Sequence, residues 1–387
     1  MLSVVANFRA PEVERLARAP DPRASRSTFF CRRRRQRRPP ILMARFGPQA
    51  RQRQRRPAKE RSAMRWQPRD SELLRAVWQC RALDLPLFAW AFPPQPDPQQ
   101  RTDPQTPGQW LNRRLRLLYD YGYLDRRRVD YGGRLVYLLT RAGAEKLTAE
   151  LTAAGEDVPD NLLDTKQLDT RNARMLPGQL DHHLGIARVR LALESACRDQ
   201  AIDVAVFRRE GEGYTRTKRG GKRDRLKAEW TAGDSKRFVI PDAFVIVADR
   251  RTNATKPKRS AYFVEVDRST MPMQRMADKF ERYHQLYNAR MHVEHFKVPS
   301  FRVLTVCRSP ERAANLHALV RGEFAPPGGR IIKAPVPEKF RPFLYFTDES
   351  TFTDHPANVF ARVWWCAKDQ DSNARAAILA DPFKLAA

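Results

Sequence analysis

The sequence predicts an α+β protein with two folded units, and three observations lead to this fold class. Of its 387 residues, 42% are hydrophobic and 10% are aromatic, which is enough to form packed cores. Residues 66–155 show three helical patterns, then two short strand patterns and a fourth helix. Residues 181–350 show strands that alternate with helices, which is typical of an α/β sheet.

The helices of the first unit are predicted from apolar residues that recur on one face. The first helix follows Pro68, and a short second element and a loop rich in proline and glutamine come after it. The third helix is predicted over residues 108–121, where Leu111, Leu115 and Leu118 fall on one face. We therefore expect one side of this helix to be buried.

A hairpin and a fourth helix complete the first unit. Two strand patterns, residues 123–129 and 134–139, are joined by a turn that contains two glycines. An amphipathic helix is predicted over residues 142–151. This order of elements predicts a winged helix-turn-helix domain over residues 66–155. In such a domain the third helix enters the major groove of DNA, and the wing contacts the backbone or the minor groove.

Arginines are concentrated on the two elements that contact DNA in a winged helix. Three lie on the third helix and four lie along the wing. We expect these side chains to contact duplex DNA, although a charge run of this kind is also typical of a solvated face. They are Arg113, Arg114, Arg116, Arg126, Arg127, Arg128 and Arg134.

The charge of the chain favours a polyanionic partner. It has 72 basic and 44 acidic residues, a formal net charge of +28, and double-stranded DNA is the expected partner. The first 64 residues hold 18 basic and four acidic residues without an apolar period, which predicts a disordered basic arm over residues 1–65 that grips phosphates. The alternatives are a solvated tail, or a translation start at Met43 or Met64 instead of Met1.

Several classes of protein are excluded by what the sequence lacks. No apolar run approaches the ~20 residues that a membrane-spanning helix needs, so no membrane partner is expected. The N-terminus has no long apolar segment of the kind found in secretory signals. The five cysteines match neither a zinc ribbon nor a disulfide framework, and we expect a cytoplasmic protein.

The second unit is predicted to follow a connector. Residues 156–180 show little periodicity and are interpreted as a linker, and an α/β domain is predicted over residues 181–350. Residues 351–387 are predicted as a helical tail, in which Trp364 and Trp365 pack against the domain.

Acidic side chains are predicted to meet at the ends of two neighbouring strands of the second unit. Asp242 opens one strand, and Glu265 and Asp267 close the next, where residues two apart point to the same face. Three carboxylates form the oxygen-rich environment that Mg²⁺ prefers, so Mg²⁺ is the cofactor to consider. Lys279 and Tyr283 share a face of the following helix that could turn toward these acids. A metal ion and a lysine together would hold a phosphodiester and polarise the attacking water.

This pattern resembles the restriction-endonuclease-like core, whose signature is a PD pair followed across a hairpin by (D/E)-x-K. Asp242 matches the acid of the PD pair and Glu265 matches the second acid, while Asp267 stands where lysine is expected. The resemblance implies that Lys279 supplies the missing ammonium group. The catalytic candidates are Asp242, Glu265, Asp267 and Lys279, of which the three acids are also the metal-ligand candidates. The alternative is a structural salt-bridge network with Arg268 and Lys279 that holds no metal.

The order of motifs along both units is similar to the replication-relaxation family. The motifs are RLRLLYDYGYL (114–124), LVYLLTRAG (135–143), HHLGIARVR (182–190), PDA (241–243), FVEVDR (263–268) and KFERY (279–283). The resemblance covers roughly residues 66–350. It implies a DNA-binding accessory protein in the replication, relaxation or mobilisation of a plasmid or integrative element, with other replication or conjugation proteins as further partners.

Two other functions stay open on the sequence alone. One is an enzyme, a metal-dependent DNA endonuclease that nicks DNA with a degenerate motif. The other is a transcription regulator whose second domain only binds partners.

Overall fold

The computed structural model describes most of the chain from Met64 onward. The described residues are 64–93, 107–129, 134–159, 162, 165, 168–198, 200–212, 214–216, 222–251, 253–332, 336–353, 355–369, 371 and 374–379. All of them lie in the second of the chain's two units, Arg55–Ala387. The basic arm predicted over residues 1–65 therefore lies outside the described residues, apart from its last two positions.

The N-terminal part of the described chain combines helices with a small sheet. Its elements are α1 (Pro68–Cys80), β1 (Leu83–Asp84), α2 (Leu85–Ala91), α3 (Pro107–Asp120), β2 (Leu124–Arg128), β3 (Leu135–Leu139) and α4 (Arg141–Ala153). The strands form an antiparallel sheet in the order β1-β3-β2. The apolar face predicted for the third helix is confirmed, because Leu111, Leu115 and Leu118 are all buried.

Local contacts explain where the fourth helix begins. The Thr140 side chain accepts a hydrogen bond from the Gly143 N–H at 3.0 Å and so caps α4. Gly143 also lies against the preceding turn, since a Cβ added there would come within 2.0 Å of the Tyr123 carbonyl oxygen. A glycine is therefore required at this place in the LVYLLTRAG motif, because any side chain would push the helix away from the turn.

The segment predicted as a linker contains a short helix that packs on the N-terminal part. Helix α5 (Leu168–Arg174) buries Asn172, whose side chain donates to the Leu139 carbonyl at 2.8 Å. Arg81 in turn donates to the side-chain oxygen of Asn172 at 3.1 Å. These polar contacts attach the segment to β3 and to the end of α1, so it is not a free connector.

The remaining elements form a mixed sheet flanked by helices. They are α6 (Pro177–Cys197), β4 (Ile202–Arg209), β5 (Tyr214–Arg216), β6 (Lys222–Asp224), β7 (Ala228–Ala232), β8 (Ser235–Val239), β9 (Ala243–Asp249), β10 (Lys258–Asp267), α7 (Met273–Asn288), α8 (Met291–Glu294), β11 (Arg302–Cys307), α9 (Pro310–Arg321), β12 (Leu344–Asp348) and β13 (Trp365–Cys366). Six strands pair in the order β13-β12-β11-β10-β9-β4. Strands β10, β11 and β12 are parallel to one another, and the other pairs are antiparallel.

The charged stretch between β4 and β9 forms two hairpins outside the main sheet. Strand β5 pairs with β6, and β7 pairs with β8, both antiparallel. Strands β8 and β9 are separated by a break between Val239 and Ala243. Pro241 lies in this break, and it cannot donate a ladder hydrogen bond.

Helix α6 joins the two parts of the structure because it is buried on two sides. Leu184 and Leu191 belong to the hydrophobic cluster of the N-terminal part. Val189 and Leu193 belong to the cluster that lies on the six-stranded sheet. A helix that is apolar around most of its circumference is typical of a buried position, and α6 has this pattern.

The C-terminal region differs from the predicted helical tail. Its described residues form 3₁₀ turns at Glu349–Phe352 and Pro356–Phe360 and the short strand β13, with no α-helix among them. Trp364 is buried, as the predicted packing role requires. Pro356 and the β-branched residues around it disfavour a continuous α-helix, and the pairing of β13 with β12 supplies backbone partners instead.

No helix in the described ranges has both the length and the apolar composition needed to cross a membrane.

The contact between α6 and β10 gives a test of this packing. A Cβ at Gly185 would come within 2.5 Å of Val266 Cγ1, so we expect Gly185→Ala to lower the free energy of unfolding by about 1–3 kcal/mol through overpacking. At an unhindered helix position, by contrast, replacing glycine with alanine raises the free energy of unfolding by up to about 1 kcal/mol. Urea unfolding measures the difference. Gly178→Ala on the same helix is the control, because no described atom lies within 4 Å of its added Cβ; equal effects of the two changes would contradict this packing.

Candidate functional site

A cavity of about 520 Å³ lies where β9 begins, β10 ends and α6 starts. All four predicted catalytic side chains line this cavity, and they come from the start of β9, the end of β10 and α7. The cavity is also lined by histidines of α6 and by an acid at the end of β4. The charged and imidazole lining residues are His182, His183, Glu210, Asp242, Glu265, Asp267, Arg268 and Lys279.

Glu265 lies at the centre of this arrangement. Its side chain is buried, and only 2% of the residue is exposed. The Lys279 ammonium group donates to one carboxylate oxygen and the Tyr283 hydroxyl donates to the other. Because Lys279 and Tyr283 are one turn apart on α7, the prediction that this helix face looks back at the acid is confirmed.

Asp242 is held beside Glu265 by the antiparallel pairing of β9 and β10. Ala243 pairs with Val264, and the Val266 N–H donates to the Asp242 carboxylate at 2.7 Å. The second carboxylate oxygen faces His182 Nε2 at 3.5 Å. Asp242 thus bridges the end of β10 and the first turns of α6.

Asp267 lines the same cavity but has other partners. Its carboxylate accepts hydrogen bonds from Arg312 Nε at 2.5 Å and from the Ser269 N–H at 2.9 Å. Arg312 lies in the first turn of α9, after β11, and also donates to the Met271 carbonyl at 2.7 Å. Glu265 and Asp267 face the same cavity, as the alternation along β10 predicts. Asp267, however, is bound by Arg312, which contacts neither of the other two acids in the described hydrogen bonds.

Burial and neighbouring charges shift the pKa values of the acids in opposite directions. Burial raises the pKa of Glu265 to about 8, and the positive charge of Lys279 opposes this shift without cancelling it. Burial also disfavours charge on Asp242, but Lys279 and His182 outweigh it and hold the pKa of this carboxyl well below its usual range. Asp242 therefore loses its proton at a lower pH than Glu265 does.

The two histidines of the HHLGIARVR motif also differ. Burial disfavours charge on His182, yet its bond to Asp242 leaves its pKa above the usual value. Burial and the positive charges of Arg209 and Arg81 lower the pKa of His183 to about 3, so this imidazole is neutral at physiological pH.

These residues, as arranged, do not fit a Mg²⁺ ion. Both oxygens of Glu265 accept hydrogen bonds, and Arg312 binds the carboxylate of Asp267. Within the described ranges, no three His, Cys, Asp or Glu side chains form a group that could hold a metal ion. A hard cation would have to displace Lys279 or Tyr283 from Glu265, so the metal stays a prediction from the sequence.

A chain of ion pairs runs from the cavity to the hairpin of the N-terminal part. Arg268 contacts Asp181 at 2.8 Å and Glu349 at 2.6 Å, and Asp181 contacts Arg134 at 3.2 Å. In order, its members are Asp84, Arg134, Asp181, Arg268, Glu349 and Arg188. The salt-bridge alternative for the three acids is thus found for Lys279, which pairs with Glu265, but Arg268 pairs with Asp181 and Glu349 instead.

Arg114 is a structural residue and not a surface contact. It is 8% exposed, and its guanidinium group makes a two-bond ion pair with the fully buried Asp70 of α1. It also donates to the Arg65 carbonyl at 2.8 Å. The guanidinium group of Arg114 is therefore bound inside the protein, and its contact with DNA stays a prediction from the sequence.

Four other predicted DNA contacts are engaged within the protein as well. Arg116 binds Asp120 at 2.9 Å, and Arg126 lies over the Tyr119 ring at 4.1 Å from its centroid. Arg127 donates to carbonyl groups at the end of α5, and Arg134 belongs to the ion-pair chain. Each of these four side chains therefore has a partner within the protein.

The exposed face of α3 carries a different set of polar residues. Arg113 is exposed, and so is Arg128 at the end of β2. Gln109, four residues before Arg113, and Asn112, one residue before it, are exposed as well. Positions 109, 112 and 113 share one face of the helix, so Gln109 and Asn112 are the surface residues that the count of arginines overlooked.

The pH dependence of stability tests the state of Glu265. Its pKa of about 8 in the folded protein is above the ordinary value of 4.5, so the folded state keeps the proton that the unfolded state loses. Stability due to this group is complete below pH ~4.5 and falls as the pH rises to about 8. We expect Glu265→Gln to remove this fall, which is at most ~1.4 kcal/mol per pH unit for one proton. Urea midpoints at several pH values measure it, and parallel wild-type and variant profiles would contradict it.

The two neighbouring arginines of α3 should contribute differently to the stability of the protein. Arg114→Ala leaves the buried Asp70 without its cation, and we expect a loss of about 3–5 kcal/mol in the free energy of unfolding. Arg113→Ala, at an exposed position, should change it by less than about 0.5 kcal/mol. Thermal or urea unfolding compares the two, and a loss smaller than ~1 kcal/mol for Arg114→Ala would argue against a structural pair.

Comparison with known proteins places the chain in a family. The family model described as replication-relaxation matches residues 100–298, which is just over half of the sequence. The match extends from α3 through the end of the acidic cavity, and thus includes both Asp242 and Lys279. Neither the comparison with curated proteins nor the comparison with solved structures gave a match. The chain belongs to the replication-relaxation family.

Proposed function

We propose that this protein is a DNA-binding accessory factor in the replication, relaxation or mobilisation of a plasmid or integrative element. The observation that carries the proposal is the exposed face of α3, where Gln109, Asn112 and Arg113 lie together. The excess of positive charge in the chain favours association with DNA and supports the same conclusion.

The topology of the N-terminal part supports a winged helix. Its order is helix, strand, helix, helix, two strands and helix, with the first strand paired to the last. In a winged helix the third helix enters the major groove, and here that helix is α3. The β2–β3 hairpin would then be the wing, and Arg128 lies on its exposed side.

The residue types on α3 are those that read bases. Arginine pairs with guanine, and asparagine or glutamine pairs with adenine, through two hydrogen bonds in the major groove. Buried contacts hold this face in place, because the Arg114–Asp70 pair attaches the opposite side of α3 to α1. A helix that buried contacts hold in place, with an exposed polar face, is what base reading requires.

The test is binding of labelled duplex DNA to an Asn112→Ala/Arg113→Ala variant. We expect affinity at low salt to fall at least ~5-fold, because one base-reading contact contributes about 1–3 kcal/mol. Loss of one phosphate contact would reduce the slope of log K against log salt by about 0.9. Fluorescence anisotropy over a salt series measures both quantities.

Arg259→Ala is the matched control for duplex binding. Arg259 is exposed and lies near the start of β10, six residues and roughly 20 Å along the strand from Glu265. We expect it to change duplex affinity by less than ~2-fold, with the salt slope nearly unchanged. Equal effects of the Arg259 change and the α3 changes would mean that the cationic surface binds DNA without the winged helix.

A Mg²⁺-dependent endonuclease is the second candidate. The specific observation in its favour is that Asp242, Glu265 and Lys279 meet in one cavity, where β9 begins and β10 ends. This meeting supports a restriction-endonuclease-like core, with Lys279 from α7 in place of the lysine that the motif lacks. The commitment of Glu265 to Lys279 and Tyr283 is the reason for ranking it second.

Binding of metal alone separates the two candidates. We expect millimolar Mg²⁺ or Mn²⁺ to change the melting temperature of wild type no more than that of Asp242→Asn, since the carboxylates already have partners. A stabilisation that the Asp242→Asn and Glu265→Gln variants both lose would mean that a metal enters the cavity. The endonuclease would then become the first candidate.

A further inference from the structure

The two hairpins between β4 and β9 carry a surplus of positive charge. Residues 210–239 contain nine basic and five acidic residues, a net charge of +4. The two ends of this insertion meet at the acidic cavity, because the Glu210 N–H donates to the Asp242 carbonyl at 2.9 Å. The hairpins therefore extend from the edge of the candidate site.

The β7–β8 hairpin has one buried face and one exposed face. Ala228, Trp230 and Val239 are buried and join the hydrophobic cluster that includes α7. Phe238 is on the other face and is 43% exposed, one of three large hydrophobic residues that are exposed in the described ranges. Lys236 shares its face by strand alternation and is exposed too.

Charged side chains lie beside the exposed ring. The Lys227 ammonium group lies 4.6 Å from the centroid of Phe238, and the Arg282 guanidinium group lies 5.8 Å from it. Glu229 lies opposite Phe238 on β7 and pairs with Lys227 at 2.6 Å, so Lys236 and Arg282 supply the excess positive charge on this face. A partly exposed aromatic ring beside this charge complements a ligand with flat apolar rings and phosphates.

This surface is adjacent to the acidic cavity along α7. Arg282 follows Lys279 by three residues, so one turn of helix separates the guanidinium beside Phe238 from the ammonium group on Glu265. A strand of DNA held at the hairpin would thus be close to the cavity.

We propose that the outer face of the β7–β8 hairpin binds single-stranded DNA, with a base stacked on Phe238 and phosphates near Lys236 and Arg282. The proposal rests on the DNA-binding function and adds the form of DNA that this second surface takes. Unpaired bases offer a free ring face to an aromatic side chain, whereas stacked bases in a duplex do not. Replication and relaxation both expose such single strands.

The experiment compares two probes with the full-length protein. A fluorescein-labelled oligo-dT of about 20 nucleotides reports single-strand binding, and a labelled duplex of mixed sequence reports duplex binding. We expect Phe238→Ala to weaken oligo-dT binding about 5- to 100-fold and to change duplex binding less than ~2-fold. Phe238→Trp should restore oligo-dT binding, since a larger ring still stacks. Ile331→Ala is the control, because Ile331 is another exposed hydrophobic residue, at 57%.

Each result supports or overturns the proposal. Unchanged oligo-dT binding in Phe238→Ala would overturn it, and so would equal losses for oligo-dT and duplex, which would indicate a general phosphate contact. If the Asn112/Arg113 variant loses duplex binding in the same assays while Phe238→Ala changes nothing, the further inference fails and the proposed function stands. If wild type binds neither probe, both fail.

Discussion

Helix α6 is buried on two sides at once, and the positions of all the other functional elements depend on it. One face packs in the N-terminal cluster and the other packs on the six-stranded sheet. Its first turns carry Asp181, which pairs with Arg134 and Arg268, and His182, which faces Asp242. At Gly185 the helix comes so close to β10 that an added Cβ would lie 2.5 Å from Val266 Cγ1. The hairpin and the acidic cavity are therefore held in one arrangement by the same helix.

Local patterns predicted much of this fold, and distant partners explain what they did not predict. The apolar period of α3 and the alternation along β10 are properties of neighbouring residues, and both are found in the structure. The binding of Asp267 by Arg312 depends on a residue 45 positions away, which no local pattern indicates. Arg114 is different, because it follows Leu111 by three residues and precedes Leu118 by four. Its place on the apolar face of α3 was readable from the sequence.

The excess positive charge of the chain is divided between two uses. Several arginines of the N-terminal part form ion pairs within the protein, such as those with Asp70 and Asp120. What stays exposed there is a small polar face on α3, and a second cationic surface lies around Phe238. The net charge favours DNA as the partner that we propose, but burial decides which residues could reach it. The acidic cavity has its carboxylates paired with Lys279, Arg312 and His182.

The measurement that tests the central claim most directly is incubation of the full-length protein with supercoiled plasmid, in Mg²⁺ and in EDTA, followed by gel electrophoresis. We expect plasmid that is retarded and intact in both conditions, because we propose that the protein binds DNA and because the acids of the cavity already have cationic or hydroxyl partners. Nicked or relaxed plasmid that forms in Mg²⁺, disappears in EDTA and is absent with Asp242→Asn would contradict it. Plasmid that migrates unchanged would contradict DNA binding itself.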